Sequence, residues 1–289
     1  MRDAEEMFYA IKAMEIKVGM LEEKIKGQMS LKERQAFQQQ RQEIQANFDD
    51  YDERIKKLGI LDLKEDDLLI VKMARLFGEC EIGMPEDFIK EVKKYIGYWK
   101  SSPRLTNALQ MASKRGYTQT IIREMRAQNM PQHFFYLALQ ESNFDPKAVG
   151  PKTRVGIAKG PWQFMPKTAA EYGLKMGPLV SYRKFDPQDD RHNFLKSTRA
   201  AARHIKHLYN TKAQGSGMNI IASYNVGEGY MGKLISKMPR NPRERNFWKL
   251  LKNHKIPRET YDYVFYIFSA AVIGENPRLF GFDFNRPLA

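Results

Sequence analysis

The stretch His133-Phe134-Phe135-Tyr136-Leu137-Ala138-Leu139-Gln140-Glu141-Ser142 decides the fold. A run that is apolar on nearly every side has no face to offer water, so it predicts a helix buried in a core rather than one lying on a surface. Ser142 and Asn143 are weak helix formers, and Pro146 restricts Asp145, so the helix is expected to stop within a turn of Glu141. That leaves a carboxylate at the mouth of the core. A carboxyl half in apolar surroundings has its charged form disfavoured and keeps a proton to donate near neutral pH. Cleaving a glycosidic bond needs such a donor, because the leaving oxygen must be protonated as the sugar ring gains oxocarbenium character. Taken alone, Glu141 reads more readily as a cap or an ion-pair partner at a helix end.

Working outward, Gly160-Pro161-Trp162-Gln163-Phe164-Met165-Pro166 predicts a tight turn, a short linking stretch and a new helix with Pro near its start. Trp162 is expected in the core, since large aromatics usually are. Gln163 carries both a donor and an acceptor, which suits hydroxyl and N-acetyl groups. In Ile220-Ile221-Ala222-Ser223-Tyr224-Asn225-Val226-Gly227 an apolar helix runs into a glycine turn. Asn225 reads either as a cap or, with Tyr224, as a polar contact for a ligand. Glu259-Thr260-Tyr261-Asp262-Tyr263-Val264 is the last segment of note.

Read in this order, the four segments resemble the lytic transglycosylases, bacterial enzymes with a lysozyme-like helical domain that cleave the glycan strands of peptidoglycan. The resemblance is to their membrane-bound D type and runs over about residues 85–281. It implies an all-α fold, a lysozyme-like (goose-type/SLT) helical domain. It also implies cleavage of the MurNAc-GlcNAc β-1,4 bond with one Glu, here Glu141, acting as acid and then as base. That Glu protonates the bridging oxygen and then deprotonates the substrate's own 6-hydroxyl, closing a 1,6-anhydro ring. The missing second carboxylate is thereby explained, for Asp145, Asp186, Asp189, Asp190 and Glu228 offer no obvious partner. Asp145 and Asp186 each precede a proline and read as turn formers. By the same resemblance Gln163 binds the sugar chain, Met165 lines the cleft, and Tyr263 is the phenol near the catalytic Glu, so Glu141 and Tyr263 are the catalytic candidates. Ser142, Gln163, Phe164, Met165, Tyr224 and Asn225 are the substrate-binding candidates. The chain departs from the family pattern between Ala148 and Trp162, where the link is longer by about four residues and has Gly150 where Ser is common. Lys152, Arg154 and Lys159 in that link read as a solvated basic loop, or as contacts for acidic stem peptides.

Two alternatives share these residues. A goose-type lysozyme would use the single Glu to activate water, and 1,6-anhydro ends among the products separate the two. A non-catalytic peptidoglycan-binding scaffold is disfavoured by the complete set of Glu141, Gln163, Tyr224, Asn225 and Tyr263.

The 289-residue chain carries a net charge of +14. Residues 1–84 hold 14 Lys and Arg against 18 Asp and Glu, a net −4, which leaves 34 against 16, or +18, for the remainder. A positive cleft would concentrate a carboxylate-bearing polymer. Nucleic acid is not an expected partner, since no zinc-finger spacing, RNP-type strand or helix-turn-helix signal occurs. Cys80 is the single cysteine, which excludes an internal disulfide and reads as a buried small residue. His204 and His207 lie among basic neighbours and read as a solvated face, so no metal and no cofactor is expected.

Met7, Ile11, Met14, Val18, Leu21 and Ile25 step by four and three, Gly27 and Ser30-x-x-Glu33 mark a break and a fresh start, and Ile44, Phe48, Tyr51, Ile55 and Leu58 continue the stripe. This predicts an antiparallel helical hairpin over residues 1–60, self-packed or pairing with a protein partner. Residues 61–130 are expected as helices leading to a catalytic domain over 131–289, and the hairpin holds no residue suited to the chemistry. Helices are expected at Phe88–Tyr98, Arg104–Met111 and Thr118–Gln128, and no strand-like alternation of any length is seen there. The apolar run from Tyr263 to Gly274 is too short to span a bilayer and reads as a core helix. The N-terminus does not read as a signal peptide. A periplasmic substrate then implies a piece whose export signal or membrane anchor lies upstream, or a chain delivered by another machine.

Overall fold

The computed structural model describes residues 2–25, 30–57, 63–85, 87–213, 216–240 and 244–289. In chain order the helices are α1 (Arg2–Ile25), α2 (Leu31–Lys57), α3 (Glu65–Leu76), α4 (Phe88–Lys100), α5 (Arg104–Lys114), α6 (Tyr117–Ala127) and α7 (Phe135–Ser142). Strands β1 (Val149–Thr153) and β2 (Gly156–Lys159) follow, then α8 (Pro166–Glu171), α9 (Phe194–His207), α10 (Gly217–Val226), α11 (Glu228–Ser236), α12 (Phe247–Asn253) and α13 (Arg258–Glu275). Among the described residues the fold is all-α, with one small hairpin as its sheet. The chain forms two compact units, Met1–Glu91 with His207–Val264, and Val92–Lys206 with Phe265–Ala289.

In the first unit α1 packs along α2. Ser30 starts α2 with a reciprocal capping box. The Ser30 amide donates to Glu33 Oε2 at 2.8 Å, and the Glu33 amide donates back to Ser30 Oγ at 3.3 Å. Phe8, Ile11, Val18, Ile44, Tyr51 and Ile55 form the hairpin's buried cluster together with Cys80. Met14 and Leu21 of the α1 stripe stay partly exposed, while Gly27 and Leu58 lie outside the described residues. α1 also packs on the π-turn Leu208–Lys212. There the buried Lys12 ammonium donates to the Tyr209 hydroxyl, and Asn246 Nδ2 donates to the Tyr9 hydroxyl at 2.6 Å.

In the second unit α7 forms the centre, with Phe135 through Leu139 all buried. Trp99 is buried beneath the following turns, its indole donating to Tyr266 O at 3.0 Å and Ser269 Oγ at 3.1 Å. A two-stranded β hairpin interrupts the helices without the residue alternation by which a sequence announces strands. Val149 pairs with Lys159, Lys152 with Ile157 and Thr153 with Gly156, with a bulge between Val149 and Lys152. A strand reading VGPKT, bulged and mostly exposed, has no alternation to detect, because only backbone pairing builds it.

Candidate active site

α7 ends as its sequence requires, but by an unusual route. Asn143 and Phe144 both take left-handed backbone, at φ 54° and 63°. The Asn143 amide donates to Leu139 O at 2.9 Å and the Phe144 amide to Ala138 O at 3.1 Å, which closes the last turn. A bulky residue in this region is strained, and the buried Phe144 ring is held against Phe135 with centroids 4.5 Å apart. Arg104 caps the same helix end. Its Nε donates to Asn143 Oδ1 at 2.8 Å and its Nη2 reaches Gln140 O at 3.3 Å, with the guanidinium over the Trp99 ring. Glu141 sits half-buried in this final turn.

Ser142 ties that turn to the next segment, its hydroxyl donating to Pro161 O at 2.9 Å. Gly160 has φ 79°, and a Cβ there would stand 1.8 Å from Arg191 O, so no other residue fits this turn. Gln163 also has positive φ, at 45°, and its amide nitrogen folds back to Gly160 O at 2.8 Å. A side chain at Gly150 would begin 3.0 Å from Gln163 Oε1, so the glycine in place of the family's Ser leaves room for that amide. Trp162 is fully buried, as expected, donating to Thr198 Oγ1 at 3.0 Å. Phe164 is buried, whereas Met165 is half-buried and caps α8.

Arg191 holds this turn, and nothing in the sequence singled it out. It is wholly buried. Its Nε and Nη2 donate to Asp189 Oδ1 and Oδ2 at 2.9 and 2.7 Å, and its Nη1 donates to Ile157 O at 2.7 Å and Phe164 O at 3.1 Å. One guanidinium thus joins β2 to the Gln163 turn through a bidentate ion pair. Burial opposes the charge on Asp189, but its bonds to Arg191 prevail and hold the carboxyl below the usual range.

The other aspartates weighed from the sequence are also engaged. Asp145 accepts from the Lys147 amide at 2.9 Å. Asp186 accepts from the Leu179 and Gln188 amides at 2.8 and 3.0 Å. Asp190 accepts from Lys196 Nζ at 2.7 Å and the Lys175 amide at 3.0 Å.

Two basic-loop readings need correction. Lys159 is buried rather than solvated, its ammonium donating to Leu179 O at 2.7 Å, while Lys152 and Arg154 are exposed. Its Cβ alternates inward on β2, and burial pushes the ammonium pKa down. His204 likewise faces inward, with Nδ1 3.0 Å from the Tyr172 hydroxyl. Among the described residues no group of three His, Cys, Asp or Glu side chains is arranged to hold a metal ion.

The remaining candidates belong to the first unit. Tyr224 and Asn225 close α10 half-exposed, and Thr260 Oγ1 of α13 donates to Asn225 Oδ1 at 2.7 Å. Tyr263, one turn after Thr260, is buried. The structure therefore joins the Glu141–Ser142 turn to the Gln163 turn in one unit, and Asn225 to the start of the Tyr263 helix in the other.

A short buried helix ending in a half-exposed Glu, followed by a hairpin and a glycine-hinged turn, is the frame of a lysozyme-like helical domain. Residues 119–247 match the family described as Transglycosylase SLT domain. The chain is 30% identical over 204 residues to the membrane-bound lytic murein transglycosylase D of Escherichia coli (strain K12), and equally to that of Escherichia coli O6:H1. The alignment takes in 70% of this chain and 40% of each relative, so the chain spans about two fifths of their length. A protein of Alteromonas sp. (strain M-1) named for tributyltin chloride resistance is 29% identical over 136 residues, 46% of this chain and 59% of its own.

Proposed function

We propose that this chain is a lytic transglycosylase of peptidoglycan, acting in the periplasm, that breaks the MurNAc-GlcNAc β-1,4 bond without water to leave 1,6-anhydro-MurNAc ends. The murein named in the description of the Escherichia coli relatives supports the substrate. The observation that carries the mechanism is the engagement of Asp145, Asp186, Asp189 and Asp190 in local bonds. Those four are committed to structure, and Glu141, half-buried in the last turn of α7, serves both proton transfers. It gives its proton to the bridging oxygen as the bond to the anomeric carbon breaks. It then takes the proton of the sugar's 6-hydroxyl as that oxygen closes on the same carbon. A second carboxylate for activating water is needed only for hydrolysis. In this reading Gln163 and Tyr224 hold the glycan, Ser142, Phe164 and Met165 shape its bed, and Asn225 and Tyr263 serve the developing charge. A membrane anchor in a segment upstream and a protein partner for the α1–α2 hairpin belong to the same proposal. Among the described residues no helix is long and apolar enough to cross a membrane.

The test is digestion of purified sacculi by the chain and by Glu141→Gln, with products identified by mass. Anhydro-ended muropeptides from the wild-type chain and none from the variant are expected, with glycan binding retained. Reducing ends from the wild type would make it a hydrolase, and wild-type activity in the variant would remove Glu141 from the chemistry.

A further inference from the structure

Glu79 lies in the first unit, fully buried, in a place that the proposed chemistry does not use. Its Oε1 accepts from Ser216 Oγ, and its Oε2 accepts from the Phe247 amide at 3.2 Å. Both partners begin helices. Ser216 caps α10, its hydroxyl oxygen accepting from the Asn219 amide at 3.1 Å, and Phe247 is the first residue of α12. A carboxylate at two helix starts satisfies the Phe247 amide, which has no partner within its helix, holds the Ser216 hydroxyl that caps the other, and meets the positive ends of both dipoles. Nearby, the Gly217 amide donates to Phe77 O at 2.6 Å, so the segment Phe77–Glu79 fixes where α10 starts.

α10 is buried from Gly217 to Ser223 and ends in Tyr224 and Asn225. A short helix packed along its length moves as a rod, so a shift at its start reaches its end. We propose that Glu79 is a positioning residue whose hold on Ser216 sets the placement of Tyr224 and Asn225. The consequence for cleavage rests on the reading of those two as substrate contacts; the consequence for α10 does not.

The charged and titratable groups that act on Glu79 or feel its charge are Lys12 and Tyr9 of α1. Burial pushes the Glu79 carboxyl up to about 7, against the pull of Ser216, the Phe247 amide and Lys12. Ionised, it takes the Ser216 hydroxyl proton while the Ser216 oxygen stays open to the Asn219 amide. Protonated, it keeps one full acceptor, its carbonyl oxygen, and the oxygen that carries the proton holds its partner, Ser216 or the Phe247 amide, more weakly. The start of α10 is therefore better tied above neutrality than below it.

The experiment compares the full chain with Glu79→Ala and Glu79→Gln by amide hydrogen exchange and by kinetics on glycan strands. In Glu79→Ala, exchange over residues 217–226 should quicken by about tenfold while residues 135–142 change less than about twofold. KM should rise by about threefold or more, because misplaced contacts weaken binding. A merely destabilised chain would lose active fraction, lowering kcat alone. Glu79→Gln keeps an acceptor and should recover most of both effects, and the shift of wild-type KM across pH 7 should vanish in it. Should Glu79→Ala not fold, Ser216→Ala removes the same bond from the other side and must reproduce the faster exchange of residues 217–226. Unchanged exchange there, or an equal rise over residues 135–142, overturns the proposal. A wild-type chain that cleaves nothing would defeat the proposed function, and the exchange measurement would still decide the role of Glu79.

Discussion

Asp189→Ala tests whether the Gln163 turn depends on the buried ion pair. The substitution removes two of the four side-chain bonds of Arg191, those to Asp189 Oδ1 and Oδ2, and leaves a guanidinium with no countercharge at a site without solvent. Breaking one side of a buried pair costs about 3–5 kcal/mol, because the remaining charge keeps its desolvation penalty. At about 2–4 °C per kcal/mol for a chain of this order of size, the melting temperature should fall by on the order of 10 °C. The pH dependence has a definite sign. The folded Asp189 carboxyl is held below its ordinary value by Arg191, so the pair stabilises the fold above about pH 4 and the benefit fades as pH drops through the folded value. Wild type and variant should therefore differ most at neutral pH and converge in acid. Circular dichroism melts between about pH 3 and 7 would show this. The double variant Asp189→Ala/Arg191→Met, which removes both charges, should melt above the single variant. A drop of less than about 1 kcal/mol at pH 7, or a gap that persists unchanged in acid, would refute the account.

Tyr263→Phe and Asn225→Ala should each lower kcat more than they raise KM if both act on charge that develops during cleavage; a raised KM at equal kcat would make them plain binding residues. Removal of residues 1–57 takes away the Tyr9 partner of Asn246 and the Lys12 partner of Tyr209, and uncovers Cys80. The shortened chain should melt well below the full one and expose apolar surface to a hydrophobic dye; an unchanged melting curve would show that α1 and α2 are a detachable appendage.

Much of the helical frame could be read directly. α7 was legible because a run without a polar face has one stable place, and its stop was legible because Asn143 and Pro146 oppose helix. The capping box at Ser30 and the burial of Trp162 followed from side-chain chemistry alone. Buried charge was not legible. Arg191, Lys159 and His204 occur in a strongly basic chain, where the ordinary expectation for each is water. Their burial depends on carbonyls and carboxylates brought near by distant segments, which no local pattern announces. The backbone of the candidate site was hidden for a similar reason. Asn143, Phe144 and Gln163 are forced into left-handed conformations by packing, whereas the sequence rule looks for glycine there. The motifs named the residues to watch, and the turns that hold them emerged only from the assembled chain.

The burial of Cys80 has a practical consequence. Its thiol is enclosed and burial pushes its pKa up to about 12, with Glu81 adding to the effect. Thiolate is the reacting species, so towards maleimides and similar reagents the folded chain behaves as though it had no cysteine. Val155, at the tip of the β hairpin, is 74% exposed. Val155→Cys would offer a single attachment point for a fluorophore or spin label on the exposed hairpin, without first replacing Cys80.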